Sequence, residues 1–168
     1  MDVAAITALV VAAVACWTDL RTRRIPNVLT FGAAGAGLAF HVFVSGNPLT
    51  ALAGWITGVL LFSPLFLLRG MGAGDLKLLG ALGAWLGPLM AFRIGLWSAV
   101  AGGVLAVAVA LGHGYLGHAL RNVRLLLVHW RVSGVKPLDT LSLDKGTGPR
   151  LAYAVPLMVG LMVALWTR

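Results

Sequence analysis

The chain has 168 residues, of which 60% are hydrophobic and only 11% are charged, and its mean hydropathy is +0.94. A soluble globular domain carries roughly a quarter charged residues and a disordered chain needs low hydrophobicity, so both classes are excluded. The composition predicts an all-α integral membrane protein that forms a single domain over residues 1–168.

Six apolar stretches follow one another, and each is predicted to form a membrane-spanning helix. They run over residues 3–18, 28–44, 51–68, 78–90, 94–112 and 151–166. The fourth stretch is short: Pro88 lies near its end, Arg93 is expected in the tight turn that follows, and its start could extend back to Asp75.

Glycines recur four residues apart within two of these stretches. Gly54 and Gly58 form one such pair, and Gly83 and Gly87 form another. Small residues at this spacing allow membrane helices to approach each other closely. The pattern predicts close helix contacts and carries no information about function.

The thirteen basic residues are distributed unevenly between the predicted loops. If the first loop is cytoplasmic, eleven lie on that side and only Arg93 and Arg168 lie on the other. Because cytoplasmic loops carry the excess of Lys and Arg, both termini are expected outside the cytoplasm. This distribution explains the net positive charge of the chain without a nucleic-acid partner.

The first apolar stretch is not predicted to be a cleaved signal peptide. A signal peptide carries its basic residues before the apolar run, whereas here the arginines follow it, so the stretch is expected to remain in the protein as a helix.

The segment 113–150 is the only sizeable polar part of the chain. Apolar residues recur at helical spacing in its first half, at Leu116, Ala119, Leu120, Val123, Leu127 and Trp130. Basic residues fall mostly beside this stripe, which predicts an interfacial helix that contacts membrane lipid. The alternative is a solvated connector that packs on the bundle.

Two aspartates stand at the ends of apolar stretches. Asp19 follows the first stretch and Asp75 precedes the fourth, with two crossings between them, so both are expected at the cytoplasmic edge of the membrane. Placing an acidic side chain in a membrane span costs about 2.5 to 3.5 kcal/mol of insertion free energy at the bilayer centre and less near the interface. Each of the two aspartates is therefore a candidate functional residue. The alternative is that each neutralises a basic residue two to four positions further along the chain.

Two carboxyl groups held close together in a low dielectric share a proton and titrate as a unit. In aspartic proteases the ionised member takes a proton from water while the protonated member polarises the scissile carbonyl. If Asp19 and Asp75 form such a pair, the expected reaction is peptide hydrolysis without a metal or another cofactor.

The residues around the two acids have uses of their own. Gly72 and Gly74 precede Asp75 and permit a close approach of the backbone to a substrate strand. Pro26 is expected to end the first loop and start the second helix, with Asn27 near its cap.

Metal-binding residue types are sparse and scattered. There is one cysteine, and the four histidines show no metal-like spacing on any one helix; these residues are Cys16, His41, His113, His118 and His129. No metal site is expected.

At both acids the chain resembles the type IV prepilin peptidases, which are GxGD-type membrane aspartyl proteases of bacteria. The segment from Asp19 to Asn27, DLRTRRIPN, is similar to the first aspartate segment, especially that of small Tad/Cpa-type members that process Flp pilins. The eighteen positions from Gly70 to Gly87, GMGAGDLKLLGALGAWLG, are similar to the second. Residues 151–156 also resemble the family's last helix.

The resemblance implies that Asp19 and Asp75 are the catalytic pair and that Gly72 and Gly74 shape the site. It also places Lys77 close by, either as an electrostatic tuner of the pair or as a ligand of lipid phosphate.

The implied activity is removal of the short basic leader of a prepilin at the cytoplasmic face of the bacterial inner membrane. The mature helix then becomes available to a pilus or secretion machine. Longer members carry an N-terminal domain with zinc-binding cysteines and methyltransferase activity; nothing precedes the first stretch here, so a peptidase without N-methylation is expected. The alternatives are a GxGD protease for other membrane substrates, a small transporter and a structural membrane subunit.

Overall fold

The computed structural model describes residues 2–68, 70–114, 116–117, 121–122, 124–125, 128, 131 and 152–167. The six continuous helices within these ranges are α1 (Val3–Thr22), α2 (Asn27–Phe43), α3 (Pro48–Leu67), α4 (Ala73–Leu86), α5 (Pro88–Gly112) and α6 (Ala154–Trp166). The prediction of an all-α membrane fold with six helices is confirmed, and three of these helices are long and apolar enough to cross a membrane. The predicted interfacial helix within 113–150 lies for the most part outside the described residues.

Short connections reverse the chain between successive helices from α1 to α5, and residues 113–153 join α5 to α6, so the bundle has two ends. The acid end, named for Asp19 and Asp75, is where α1 and α3 end and where α2, α4 and α6 begin. The far end is the opposite one, where α2 and α4 end and where α3 and α5 begin. The functional residues predicted from the sequence all lie at the acid end.

Helix α4 lies at the centre of the bundle. It packs against each of the other five helices, and every residue from Leu78 to Trp85 is buried. A helix that is apolar on all sides is stable only when it is surrounded in this way. Glycines permit the contact with α3: a methyl group added at Gly54 would collide with the carbonyl oxygen of Gly83. The predicted close helix contact is confirmed.

The surface of the bundle is apolar. Helices α1, α3 and α5 are long and apolar enough to cross a membrane, and α2 and α6 are shorter apolar helices. Large apolar side chains point outward from several of them, among them Val10, Trp17, Leu60, Val104 and Leu111. Such a surface suits a hydrocarbon solvent, and the chain is a membrane protein.

Two boundaries differ from those predicted. Helix α1 continues to Thr22, so Asp19 lies in the final part of the helix rather than after it. Pro88 does not end the fourth helix but begins α5, because proline is well tolerated in the first turn, where its missing N–H has no helical partner. The turn before it is made by Gly87 at φ +84°. Arg93 consequently lies inside α5 and not in a turn.

Candidate active site

The structure brings the two predicted acids together. Asp19 in α1 is buried, with 7% of its surface exposed, and Asp75 in α4 is half-buried. Helices α1 and α4 are in contact, and the two carboxyl groups lie within electrostatic range of each other. The count of membrane crossings predicted the same end of the bundle for both residues, and the packing of α1 on α4 supplies the proximity.

The Asp75 carboxyl group lies in the first turn of α4 and is held there by the backbone. Asp75 is the third residue of the helix, and its carboxyl group interacts with the backbone N–H of Gly72, the N-cap residue. An acid at the third position of a helix is suited to interact with the N–H of the cap. A Cβ atom at Gly72 would lie 3.2 Å from Asp75 Oδ2. The glycine therefore keeps space open beside the carboxylate.

The Asp19 carboxylate meets the start of α6. Its Oδ2 atom accepts a hydrogen bond from the backbone N–H of Ala154, at 3.3 Å. Ala154 is the first residue of α6, where N–H groups have no partner within the helix and the helix dipole is positive. The contact satisfies an otherwise unpaired donor and places positive potential beside Asp19.

Tyr153 stands next to this contact and also approaches the acids. It interacts electrostatically with Asp75, and its hydroxyl group donates to the carbonyl oxygen of Ser98 in α5 at 3.4 Å. Sequence reasoning did not identify Tyr153 or Ala154 as site residues. The one signal in the sequence was the likeness of residues 151–156 to a family helix, because a backbone N–H contact leaves no side-chain motif.

Lys77 is turned towards α2 rather than towards Asp75. Its Nζ atom donates to Asn27 Oδ1 at 3.0 Å and lies 5.0 Å from the centre of the Phe31 ring. Asn27 is the first residue of α2, directly after the N-cap Pro26. The predicted start of α2 at this proline is confirmed, and the asparagine side chain links α2 to α4.

Gly74 allows the first loop to approach α4. A Cβ atom added to Gly74 would lie 3.2 Å from Ile25 Cβ, tighter than ordinary packing. The glycine thus brings residues 23–26 against the helix turn that carries Asp75. All seven residues predicted for the site lie at the acid end.

The chemistry available at this site is that of two carboxyl groups. Within the part of the chain that the structure describes, no group of three or more His, Cys, Asp or Glu side chains is placed to hold a metal ion. Two acids in electrostatic contact, one buried and one half-buried, are suited to hold a shared proton and to act as general acid and general base.

Known proteins resemble the chain over this region. A family model described as the type IV leader peptidase family matches residues 6–107, a range that contains both acids. The prepilin leader peptidase/N-methyltransferase of Dickeya chrysanthemi is 40% identical over 77 residues, covering 41% of this chain and 27% of that protein. The proteins of the same name from Burkholderia pseudomallei (strain 1026b) and Neisseria gonorrhoeae are 39% identical over 100 residues and 36% identical over 105 residues.

These matches cover 55% and 54% of this chain, and 29% and 36% of the two relatives. The matched region therefore amounts to about a third of the length of the curated relatives. No solved structure matches the chain.

Proposed function

The chain belongs to the type IV leader peptidase family, and from that premise we propose that it is a membrane aspartic endopeptidase that removes the short basic leader of a prepilin. Asp19 and Asp75 are the proposed catalytic pair. The observation that carries the proposal is their convergence: two acids that lie 56 positions apart in the sequence lie on contacting helices, within electrostatic range of each other, at one end of an otherwise apolar bundle.

The reaction follows from a pair that shares one proton. The ionised carboxylate takes a proton from a water molecule as the water oxygen adds to the carbonyl carbon at the leader junction. The protonated partner donates a hydrogen bond to the carbonyl oxygen and stabilises the charge that develops there. When the tetrahedral adduct collapses, the C–N bond breaks and the proton passes to the departing amine. The products are a leader carboxylate and a new amino terminus on the apolar helix.

The remaining residues of the site have proposed supporting roles. Gly72 leaves room beside Asp75, and Gly74 draws the first loop against α4. Pro26 starts α2, and the hydrogen bond between Asn27 and Lys77 ties α2 to α4 beside the acid-bearing turn. The two glycines position the acids, the Asn27–Lys77 contact stabilises the packing of α2 on α4, and the acid chemistry is left to Asp19 and Asp75.

We place the acid end at the cytoplasmic face of the bacterial inner membrane, with both termini on the other side. The support is the distribution of basic residues, because the loop of residues 23–26 at the acid end carries Arg23 and Arg24. In this orientation a prepilin inserts with its basic leader in the cytoplasm and its apolar helix in the bilayer, so the junction reaches the acid pair. Membrane lipid surrounds the bundle, and the cleaved helix passes to a pilus or secretion machine.

The substrate class is proposed from the first aspartate segment. Residues 19–27 resemble those of the small members that act on Flp pilins, so an Flp-type prepilin is the expected substrate. Co-expression with one Flp-type and one longer type IV prepilin tests this choice. Cleavage of the longer prepilin alone would contradict it.

The catalytic proposal is tested by leader cleavage of a prepilin segment: a short basic leader ending in glycine, joined to an apolar helix of about twenty residues. Asp19→Asn and Asp75→Asn are each expected to lower cleavage by about 10²- to 10⁴-fold, because the amide can neither accept nor deliver the proton. Membrane abundance of each variant is measured in parallel.

Asp2→Asn is the matched control. Asp2 caps α1 by accepting a hydrogen bond from the Ala5 N–H at 2.9 Å, and asparagine retains that cap. The same chemical change at a distant acid is expected to leave cleavage unchanged. Undiminished cleavage in Asp19→Asn or Asp75→Asn would refute the aspartyl mechanism and favour a structural role for the pair.

A further inference from the structure

The start of α6 contacts four other helices at the acid end. The Ala154 N–H reaches Asp19 in α1, and Tyr153 interacts with Asp75 in α4. The Tyr153 ring meets Phe62 of α3 edge to face, with centroids 5.9 Å apart and planes at 78°. Its hydroxyl group donates to the Ser98 carbonyl oxygen of α5. Two adjacent residues, Tyr153 and Ala154, therefore link both acid-bearing helices to α3 and α5.

The ring of Tyr153 is seated on a glycine of α5. A Cβ atom added to Gly102 would lie 2.9 Å from Tyr153 Cε2 and 3.1 Å from its hydroxyl oxygen. Real Cβ atoms do not tolerate the shorter distance, so any larger residue at this position has to displace the ring. The adjacent Gly103 faces open space, with nothing within 4 Å of an added Cβ. The contact with Gly102 thus fixes how close Tyr153 comes to α5.

The position of Tyr153 determines the position of the Asp19 hydrogen bond, because Ala154 is the next residue. Because the ring also packs against Phe62, displacing it from Gly102 is expected to move the first turn of α6, and with it the N–H that donates to Asp19. The bond length of 3.3 Å is already near the upper limit for a hydrogen bond, so a small displacement breaks it. Catalytic groups are sensitive on this scale, since a misplacement of about 1 Å can cost about 100-fold in rate.

We propose that Tyr153 is a positioning residue: seated against Gly102, it holds the start of α6 where the Ala154 N–H binds Asp19, and so sets the geometry of the two carboxyl groups. This inference rests on the proposed peptidase function. Tyr153 acts through the backbone of α6 and through its contact with α5, without touching the scissile bond.

The experiment compares Gly102→Ala with Gly103→Ala in the full chain, purified in detergent and given the prepilin segment described above. Both changes add one methyl group to α5 and raise its helix propensity equally, so they differ only in what the methyl group meets. Gly102→Ala is expected to lower kcat by about 10- to 100-fold with KM within about twofold. Gly103→Ala is expected to retain the parent values. Rates are expressed per folded enzyme, from a thermal unfolding curve of each variant.

Two substitutions of Tyr153 separate the ring from the hydroxyl group. Tyr153→Phe keeps the ring against Gly102 and Phe62 and is expected to retain kcat within about threefold, because it loses only the 3.4 Å hydrogen bond to Ser98. Tyr153→Ala is expected to lower kcat as far as Gly102→Ala does. In the Tyr153→Ala background, Gly102→Ala is expected to have no further effect, because the ring that it displaces is gone.

Different results overturn different parts of the proposal. Equal kcat values for Gly102→Ala and Gly103→Ala, or a loss confined to the amount of folded protein, would overturn the positioning role while leaving the peptidase function intact. A Tyr153→Phe variant as weak as Tyr153→Ala would also overturn it, because the hydroxyl group and not the seated ring would then be required. Failure of the unmodified chain to cut the segment, or cleavage that survives Asp75→Asn, would remove the proposed function itself.

Discussion

The two ends of α4 lie in contrasting surroundings. At the far end, the Trp85 indole N–H donates to the carbonyl oxygen of Ala33 at 2.8 Å, and His41 Nε2 lies 3.2 Å from the carbonyl oxygen of Trp85. At the acid end, Asp75 is half-buried, and its carboxyl group interacts with the backbone N–H of Gly72 at the start of its own helix. Helix α4 is therefore joined to α2 by buried hydrogen bonds at the far end. At the acid end it presents a carboxyl group, and its hydrogen bond to α2, from Lys77 to Asn27, is exposed.

The two ends of α4 are therefore expected to have different roles, one in the stability of the fold and the other in the proposed reaction. The far end combines buried polar contacts with close glycine packing, and both resist displacement of α4. The acid end carries the two acids of the proposed catalytic pair, and Gly72 leaves space beside Asp75. Substitutions at the far end are accordingly expected to change the free energy of unfolding, and substitutions that move Asp19 or Asp75 are expected to change kcat.

The largest effect is expected for Gly54→Ala, where α3 crosses the far half of α4. The added methyl group collides with the Gly83 carbonyl, so the helices have to separate and lose packing along their length. We expect a loss of about 3 kcal/mol in the free energy of unfolding, measured by denaturation in detergent micelles. Gly35→Ala in α2 is the control, because nothing lies within 4 Å of its added methyl group. Equal stability of the two variants would contradict the close contact of α3 and α4.

A smaller loss of stability is expected for Trp85→Phe. Phenylalanine fills much of the same space but cannot donate to the Ala33 carbonyl, and one such hydrogen bond in a membrane protein contributes about 1 kcal/mol. The free energy of unfolding is expected to fall by about 1 to 2 kcal/mol, with kcat per folded enzyme unchanged. Trp97→Phe, at an exposed tryptophan of α5, supplies the matched control. A fall in kcat at unchanged stability would show that the far end also controls the chemistry.

The sequence predicts one end of α4 better than the other. The apolar stretches were enough to predict six helices. The two crossings between Asp19 and Asp75 were enough to predict that both acids lie at the same end, because acidic residues are easily recognised in an apolar chain. The far-end contacts involve a histidine and a tryptophan whose partners are backbone carbonyls, so no sequence pattern marks them. The Ala154 contact was missed for the same reason, and Pro88 was misplaced because a proline is compatible with either side of a helix boundary.

At the acid end, Gly72→Ala is expected to affect the reaction more than the fold. The added methyl group lies 3.2 Å from Asp75 Oδ2, so the carboxyl group has to rotate or move away. We expect kcat to fall by about 3- to 10-fold, equivalent to about 0.7 to 1.4 kcal/mol, with stability nearly unchanged. Gly70→Ala is the control on the same loop, because its nearest neighbour, the Leu65 carbonyl oxygen, lies at an ordinary 3.5 Å. If both variants cleave at the same rate, Gly72 does not set the position of Asp75.

The smallest effect is expected for Lys77→Met, which tests whether this cation tunes the acids or only links helices. The Nζ atom donates to Asn27 and lies over the Phe31 ring, so its loss removes an exposed hydrogen bond worth about 0.5 to 1 kcal/mol. Asn27→Ala removes the same bond from the other side. The double variant is expected to be no less stable than the less stable of the two single variants. In each case kcat is expected to stay within about twofold. A tenfold fall in Lys77→Met that Asn27→Ala does not reproduce would assign Lys77 to the acid pair, because the contact with Asn27 could not then account for the loss.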